Sequence, residues 1–126
     1  MGLTRVAVRI RNFGSEDSFT SDFLVDTGAH DAMAPASELR KLGIKPVGSH
    51  LYEVASGLIE YQYGMAELSF LGEIIATHVM FGPYNIEPIL GVIALESAGF
   101  VVEPVEERIK KLPVRSLKAI GLKSVA

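Results

Sequence analysis

The segment 23–29, with the sequence FLVDTGA, holds residue types that could perform acid–base chemistry. Its three leading apolar residues predict a short buried strand that ends at the carboxylate of Asp26, and Gly28 allows the backbone to turn directly afterwards. Because an unpaired buried carboxylate is costly, Asp26 needs either hydrogen-bond partners or a chemical task. The Thr27 hydroxyl and the Gly28 amide can supply such hydrogen bonds. A strand that ends in an ordinary Asx-type turn would also contain Asp-Thr-Gly, so the tripeptide alone leaves two interpretations open.

A predicted hairpin would deliver Asp26 to its position. Apolar and polar residues alternate over 6–10, which predicts a strand with one solvent-exposed face, and extended structure resumes at 19–25 after a turn-rich stretch. Beyond Asp26, residues 36–42 follow a proline and precede a glycine, and this arrangement predicts one short helix.

Two further hairpins are predicted in the middle of the chain. The first joins residues 51–54 to 58–63, and the second joins 65–71 to 74–81. The tip of the first consists of three small residues, Ala55, Ser56 and Gly57. A tip of this kind could lie over a ligand, although an ordinary hairpin of a sheet would have the same composition.

The order of apolar strand, glycine and short helix occurs a second time near the end of the chain. Ile89 and Leu90 lead into Gly91, and residues 92–98 predict a short helix that Gly99 terminates. Many short strands at close spacing with two brief helices predict a mainly antiparallel β domain, folded as a small closed or near-closed barrel.

Length and composition indicate one ordered domain. The chain has 126 residues, of which 48% are apolar, and this is enough for a single core. We assign residues 1–105 to that domain and 106–126 to a basic C-terminal segment, either flexible or in contact with a partner subunit. All 15 acidic residues lie at or before Glu107, whereas six of the 12 basic residues lie after it. The negative charge of the domain disfavours nucleic acid as a partner.

Several kinds of site and location are disfavoured by what the sequence lacks. Without cysteine, the chain has no disulfide, thiolate metal site or cysteine nucleophile. The N-terminus lacks the apolar core of a signal peptide and no run is long enough to cross a bilayer, so we predict a cytoplasmic protein without a membrane partner. His30 and Asp31 lie near Asp26, but His50 and His78 belong to unrelated segments, so we predict neither a metal site nor a cofactor.

The ordered set of elements carries more information than the tripeptide. Asp-Thr-Gly-Ala is followed about thirty residues later by the glycine-tipped hairpin, and about thirty further by the second apolar-apolar-glycine with its short helix. This order resembles the retropepsin-like aspartic proteases. It is most similar to the single-domain prokaryotic members, which share a segment like ILGVIALE at 89–96. The resemblance covers roughly residues 5–105 and implies a mainly β, closed acid-protease barrel with one or two short helices.

The resemblance implies that one chain supplies half of an active site. Aspartic peptidases use two carboxylates that share a proton and a water molecule, one as base and one as hydrogen-bond donor to the scissile carbonyl. The sequence holds one Asp-Thr-Gly, so the second Asp26 would come from the partner in a two-fold symmetric homodimer. The two carboxylates would titrate as a unit, and the dimer would hydrolyse peptide bonds under acidic to neutral conditions.

The resemblance also implies roles for the neighbouring residues. Thr27 would bond across the carboxylate pair to the partner chain, Gly28 would leave the carboxylates open to water and peptide, and Ala29 matches the small residue that follows the motif. The hairpin tip at 55–57 would be a flap that closes over an extended peptide. The apolar strand at 89–91 would pack behind the catalytic loop as structural support.

Two features depart from the family pattern and keep other hypotheses open. Retroviral members continue Gly-Arg-Asn or Gly-Arg-Asp where this chain has GVI at 91–93, so the arginine that ties the dimer to the active-site loop has no counterpart. Prokaryotic relatives run Asp-Pro-x-x-Gly-Arg-Leu where residues 103–109, EPVEERI, lack the glycine. A second hypothesis is therefore a peptide-binding or dimerisation module without catalysis. A third is an unrelated small barrel with a chance Asp-Thr-Gly.

Overall fold

Nine strands and two short helices make up the part of the chain that a computed structural model describes, residues 4–106 and 108–113. The strands are β1 (Thr4–Arg11), β2 (Ser18–Val25), β3 (Ala32–Pro35), β4 (Gly48–Val54), β5 (Gly57–Phe70), β6 (Glu73–Gly82), β7 (Ile89–Leu90), β8 (Phe100–Glu103) and β9 (Arg108–Lys111). The helices are α1 (Ala36–Lys41) and α2 (Val92–Ser97). This content confirms the mainly β class that the sequence predicted.

Six of the strands pair into a closed ring. β1 pairs with β2 and with β5, and β5 also pairs with β6, all antiparallel. β7 and β3 close the ring. β7 pairs in parallel with β2 and antiparallel with β3, and β3 pairs in parallel with β6. β4 extends from the ring by pairing with β5 alone, and β8 and β9 form a separate two-stranded sheet.

The interior of the ring is the hydrophobic core. Every second residue of β1 is buried, so Val6, Val8 and Ile10 face inward, as their alternation predicted. Phe23 of β2 is also fully enclosed. Because the strand that leads into Asp26 is held in the core by Phe23, the end of β2 has a defined position.

Two strands differ from the sequence prediction. β5 is a single strand of 14 residues, where the sequence predicted two strands divided at Gly64. Gly64 is buried within β5, and a Cβ there would lie 2.7 Å from Ile44 Cγ2 and 2.8 Å from the Lys45 carbonyl oxygen. The glycine therefore permits a close approach of the chain before β4, and it does not end the strand. β3 was not predicted, because its four residues are extended through pairing with β6 and β7.

Both predicted helices are present, and each ends one residue earlier than the sequence indicated. Gly43 and Gly99 follow them with φ values of 77° and 88°, the left-handed conformation that commonly ends a helix. Within the two described ranges, no helix combines the length and apolar character needed to cross a membrane.

The first part of the basic C-terminal segment packs on the domain. β9 pairs with β8, Ile109 packs against the core, and Lys111 Nζ lies 2.7 Å from Glu73 Oε2. These contacts lie beyond residue 105, where the sequence placed the end of the domain. The rest of that prediction falls on residues 107 and 114–126, which lie outside the described residues.

A partly buried ion pair reinforces the contact between β1 and β5 that closes the ring. Arg11 Nη2 lies 2.8 Å from Glu67 Oε2, and Arg11 Nε donates to the same oxygen at 3.1 Å. The two residues are register partners, and their side chains are 27% and 21% exposed. A more exposed pair, Arg5 with Glu87, has side chains that are 48% and 46% exposed.

We expect Glu67→Gln to lower the free energy of unfolding by about 1 kcal/mol, because it removes the charge from a pair that solvent screens only in part. Urea denaturation measures this change. In the control variant Glu87→Gln the loss should stay below about 0.5 kcal/mol, since that pair is more solvated. Equal losses in the two variants would contradict the idea that burial decides the strength of these pairs.

Candidate active site

The loop that follows β2, residues 26–31, presents the Asp26 carboxylate, and we call it the Asp26 loop. Gly28 N–H donates to Asp26 Oδ1 at 2.9 Å, and Ala29 N–H donates to the Asp26 carbonyl oxygen at 3.0 Å. A Cβ at Gly28 would lie 3.2 Å from Asp26 Oδ1, which is tighter than ordinary contact. The glycine therefore brings its amide close to the carboxylate without crowding it.

The Asp26 carboxylate is only partly satisfied within the described residues. Of the two partners that the sequence offered, Gly28 bonds to it and the Thr27 hydroxyl does not. Thr27 is exposed and borders a cavity of about 210 Å³ beside α2 and β8. Asp26 Oδ2 and the Thr27 hydroxyl thus remain available to groups outside this part of the chain.

The strand β7 and the glycine after it contact the end of β2 and the Asp26 loop. Asp26 N–H donates to the Leu90 carbonyl oxygen at 3.2 Å, and the last residues of β2 pair in parallel with Ile89 and Leu90. A Cβ at Gly91 would lie 2.6 to 2.8 Å from backbone atoms of Asp31, so a side chain has no space there. The sequence predicted a supporting role for these residues, and they lie directly against the loop.

The first residues of α2 hold the same loop through their backbone. Val92 N–H donates to the Ala29 carbonyl oxygen at 3.0 Å, and Ile93 N–H donates to the His30 carbonyl oxygen at 3.1 Å. Amides in the first turn of a helix have no partner within the helix, so they are free to bind the loop. The backbone of α2 therefore holds the loop within one chain.

A second carboxylate, Asp31, lies at the end of the Asp26 loop and is buried, with its side chain 7% exposed. The Tyr52 hydroxyl of β4 donates to Asp31 Oδ2 at 2.5 Å, and His78 Nε2 of β6 lies 2.6 Å from Oδ1. Because a carboxylate only accepts, the imidazole is the donor in that contact. His30 Nδ1 lies 3.4 Å from Oδ1. The loop, β4 and β6 therefore meet at one acidic side chain.

The surroundings of Asp31 keep it ionised. Burial acts to raise its pKa, but the hydrogen bonds from Tyr52 and His78 and the charges of His78 and His30 outweigh it, so the pKa of Asp31 lies below its ordinary value of 3.8. Burial, followed by the hydrogen bond to Asp31 and its negative charge, raises the pKa of Tyr52. Over neutral and mildly acidic pH, Asp31 is therefore an acceptor and Tyr52 a neutral donor.

The interpretation of His50 and His78 as residues of unrelated segments was wrong. Their ring centroids lie 5.9 Å apart in an edge-to-face contact, because β4 pairs with β5 and β5 with β6. Asp31 and Tyr52 were missed as parts of the site. The available signal was the two-residue spacing of His50 and Tyr52, which places them on one face of a strand. Across residues 4–106 and 108–113, no group of three His, Asp or Glu side chains is arranged to hold a metal ion.

A cleft of about 310 Å³ opens between the Asp26 loop and the hairpin formed by β4 and β5. Gly28 and Ala29 of that loop form part of its lining, and Val54 lines it from the hairpin. The turn at Ala55 and Ser56 and the first residue of β5, Gly57, are exposed and lie outside this lining. The hairpin thus lies across the cleft from residues of the Asp26 loop, and the role of its tip as a flap stays a prediction.

Comparison with solved structures identifies the fold. The chain is similar to the solution structure of the simian foamy virus (mac) protease, with a TM-score of 0.54 and 16% identity over 74% of this chain and 92% of that one. A crystal structure of a retropepsin-like aspartic protease from Rickettsia conorii is 25% identical over 82% and 86% of the two chains, with a TM-score of 0.45. No protein-family model and no curated protein matches the sequence. The protein has a retropepsin-like fold.

Proposed function

We propose that the protein is a homodimeric aspartic endopeptidase that uses the Asp26 carboxylates of two subunits. The position of Asp26 is the observation that carries this proposal. It follows a core strand in a retropepsin-like fold, its backbone is bonded to Leu90, and one carboxylate oxygen accepts from Gly28 while the other stays open. Such an acid is held in orientation and still has room for a second carboxylate and a water molecule.

In the proposed dimer, the two carboxylates lie about 3 Å apart and share one proton, since two adjacent negative charges repel each other. The ionised carboxylate takes a proton from water as the water oxygen attacks the scissile carbonyl carbon, and the protonated one donates to the carbonyl oxygen. The tetrahedral intermediate then breaks its carbon–nitrogen bond: the carboxyl group that took the water proton gives it to the leaving nitrogen, and the other carboxylate takes a proton back from the hydroxyl as the carbonyl re-forms. The products are a carboxylic acid and an amine.

The cleft indicates the kind of peptide that would fit. Met33, Val54, Met80 and Ile89 supply apolar lining, which favours an apolar substrate side chain. β4 pairs with β5 on one side only, so its outer backbone groups have no strand partner within the described residues. An extended peptide is the ligand class that such an edge binds through main-chain hydrogen bonds.

The test is a cleavage assay with a mixed peptide library over about pH 3 to 7, the range in which paired carboxylates work. We expect cleavage, and we expect activity per milligram to fall on dilution as the dimer dissociates, because a monomer holds one Asp26. Analytical ultracentrifugation over the same concentrations should show the dimer-to-monomer transition. Full activity in a sample that sediments as a monomer would contradict the shared active site.

One observation favours a second candidate, a dimeric peptide-binding module without catalysis. The chain has no arginine at 91–93, where retroviral members use one to tie the dimer to the active-site loop. Such a module would bind extended peptides in the assay and leave them intact. The cytoplasmic location, for either candidate, stays a prediction from the sequence.

A further inference from the structure

We infer that Asp31, held by Tyr52 and His78, anchors the hairpin of β4 and β5 to the Asp26 loop and thereby sets the width of the cleft. Tyr52 and His78 are positioning residues in this view, because they act through Asp31 and not on the reacting atoms. The inference rests on the proposed function for its effect on catalysis, whereas its structural part can be measured without any substrate.

The anchor joins the two walls of the cleft. Asp31 belongs to the loop that presents Asp26, and Tyr52 belongs to the hairpin arm, where it is the register partner of Ile59. Among the described residues, the bond from Tyr52 to Asp31 is the only side-chain hydrogen bond between that hairpin and the loop. The next two hairpin residues, Glu53 and Val54, line the cleft. A displacement of Tyr52 would therefore move the wall that contacts substrate.

His78 connects the anchor to the body of the domain. It lies on β6, which pairs with β3 and β5 inside the closed ring. The ring of His78 is 5.9 Å from that of His50 and 5.5 Å from that of Tyr63, and both of these residues come from the hairpin strands. His50 is stacked on Tyr63 at 4.6 Å. The hairpin thus packs its aromatic side chains around the same imidazole that holds Asp31.

Burial makes the anchor sensitive to the loss of one donor. The Asp31 side chain is 7% exposed, so solvent replaces a missing hydrogen bond poorly, and an incompletely bonded buried carboxylate is destabilising. In Tyr52→Phe, the hairpin would spend more time away from the loop. A binding site whose competent conformation is less populated shows a proportionally weaker apparent affinity.

The anchor should persist in mild acid. The titratable groups that face Asp31 are His30 of the loop, Tyr52 of β4 and His78 of β6, with His50 of β4 beside His78. Since the pKa of Asp31 is lowered from its ordinary value of 3.8, its contribution is fully present above pH 3.8 and is lost as the pH falls through the lowered value. The hairpin would therefore remain anchored at pH values above 3.8.

The experiment is hydrogen–deuterium exchange on the full chain, with Tyr52→Phe compared with wild type. We expect amides of residues 48–63 to exchange about tenfold faster, as the loss of one charge-assisted hydrogen bond implies, while β1 and β2 are unchanged. Tyr84→Phe is the matched control, because Tyr84 is 82% exposed on a loop away from the cleft. Unchanged exchange of the hairpin in Tyr52→Phe, or equal acceleration throughout the domain, would overturn the inference.

Enzyme kinetics provide the second readout. Tyr52→Phe should raise KM, by at most the roughly tenfold increase in hairpin opening, and alter kcat by less than about threefold, because the reacting carboxylates are untouched. His78→Gln keeps a side-chain N–H donor and should retain more hairpin protection than His78→Ala. Equal loss of protection in these two variants would contradict donation from His78.

The two proposals fail in different ways. If wild-type protein cleaves no peptide while the hairpin amides exchange faster in Tyr52→Phe, the endopeptidase proposal is contradicted and the anchor is supported. If the protein cleaves peptides and the hairpin amides exchange identically in wild type and Tyr52→Phe, the anchor is contradicted and the endopeptidase proposal is supported.

Discussion

Replacement of Asp26 by asparagine should abolish peptide cleavage, lowering kcat by about 10⁴-fold, because an amide can neither take a proton from water nor return one. The change is nearly isosteric, and the asparagine oxygen can still accept from Gly28 N–H, so the free energy of unfolding should change by less than about 1 kcal/mol. A fluorogenic peptide assay and urea denaturation measure the two effects. Asp22→Asn, which removes an exposed carboxylate from the same strand, is the control and should retain activity.

The same variant tests whether both subunits contribute. If wild-type and Asp26→Asn chains pair at random and both carboxylates are needed, an equal amount of the variant should reduce the activity of the wild-type sample to about half. A tenfold excess should reduce it to about a tenth. Activity that stays constant under this excess, with mixed dimers demonstrated by mass spectrometry, would rule out a shared pair of Asp26 carboxylates. Cleavage by Asp26→Asn alone would rule out its assigned role.

Gly91→Ala should lower the free energy of unfolding by about 3 kcal/mol. The backbone of Gly91, with φ −88° and ψ 177°, suits any residue, so the cost comes from overlap and not from conformation. The added Cβ would lie 2.6 to 2.8 Å from backbone atoms of Asp31. To relieve this overlap, Gly91 must move away from the Asp26 loop and stretch the hydrogen bonds from Asp26 to Leu90 and from α2 to the loop.

Because those hydrogen bonds orient Asp26, Gly91→Ala should also reduce kcat/KM by about 100-fold, as displacements near 1 Å do at active sites. Gly14→Ala is the comparison for stability. Gly14 has φ 77° and no atom within 4 Å of an added Cβ, so alanine there is strained only by its backbone, at about 1 kcal/mol. If the two variants are equally stable in urea denaturation, close packing of Gly91 on Asp31 does not support the loop.

Much of the local structure near Asp26 could be predicted from the sequence. The alternation of Val6, Val8 and Ile10 predicted β1, and the helix-terminating glycines at 43 and 99 predicted where α1 and α2 end, to within a residue or two. These signals are local, because a strand or helix buries one face in a fixed period and a left-handed turn favours glycine. The likeness to retropepsin-like proteases, drawn from the order of these elements, is confirmed at the level of the fold.

Other features depended on contacts between distant parts of the chain. β3 is extended only because β6 and β7 pair with it, and Gly64 stands inside one long strand because Ile44 and Lys45 approach it. Neither contact produces a recognisable pattern in the residues next to it in the sequence. A period of two and turn residues therefore predicted the three hairpin pairings, of β1 with β2, β4 with β5 and β5 with β6. They did not predict the pairings between strands that are distant in the sequence.

By itself, the sequence determined that an acid stands at the end of a buried strand with a glycine amide two residues away, since these facts depend on adjacent residues. Only the tertiary structure decided that Asp31 is joined by Tyr52 and His78, which lie 21 and 47 residues away along the chain. The physical reason is that a hydrogen bond depends on distance in space. The pairing of β4 with β5, of β5 with β6 and of β3 with β6 brings these three side chains together, and no local pattern encodes that set of pairings.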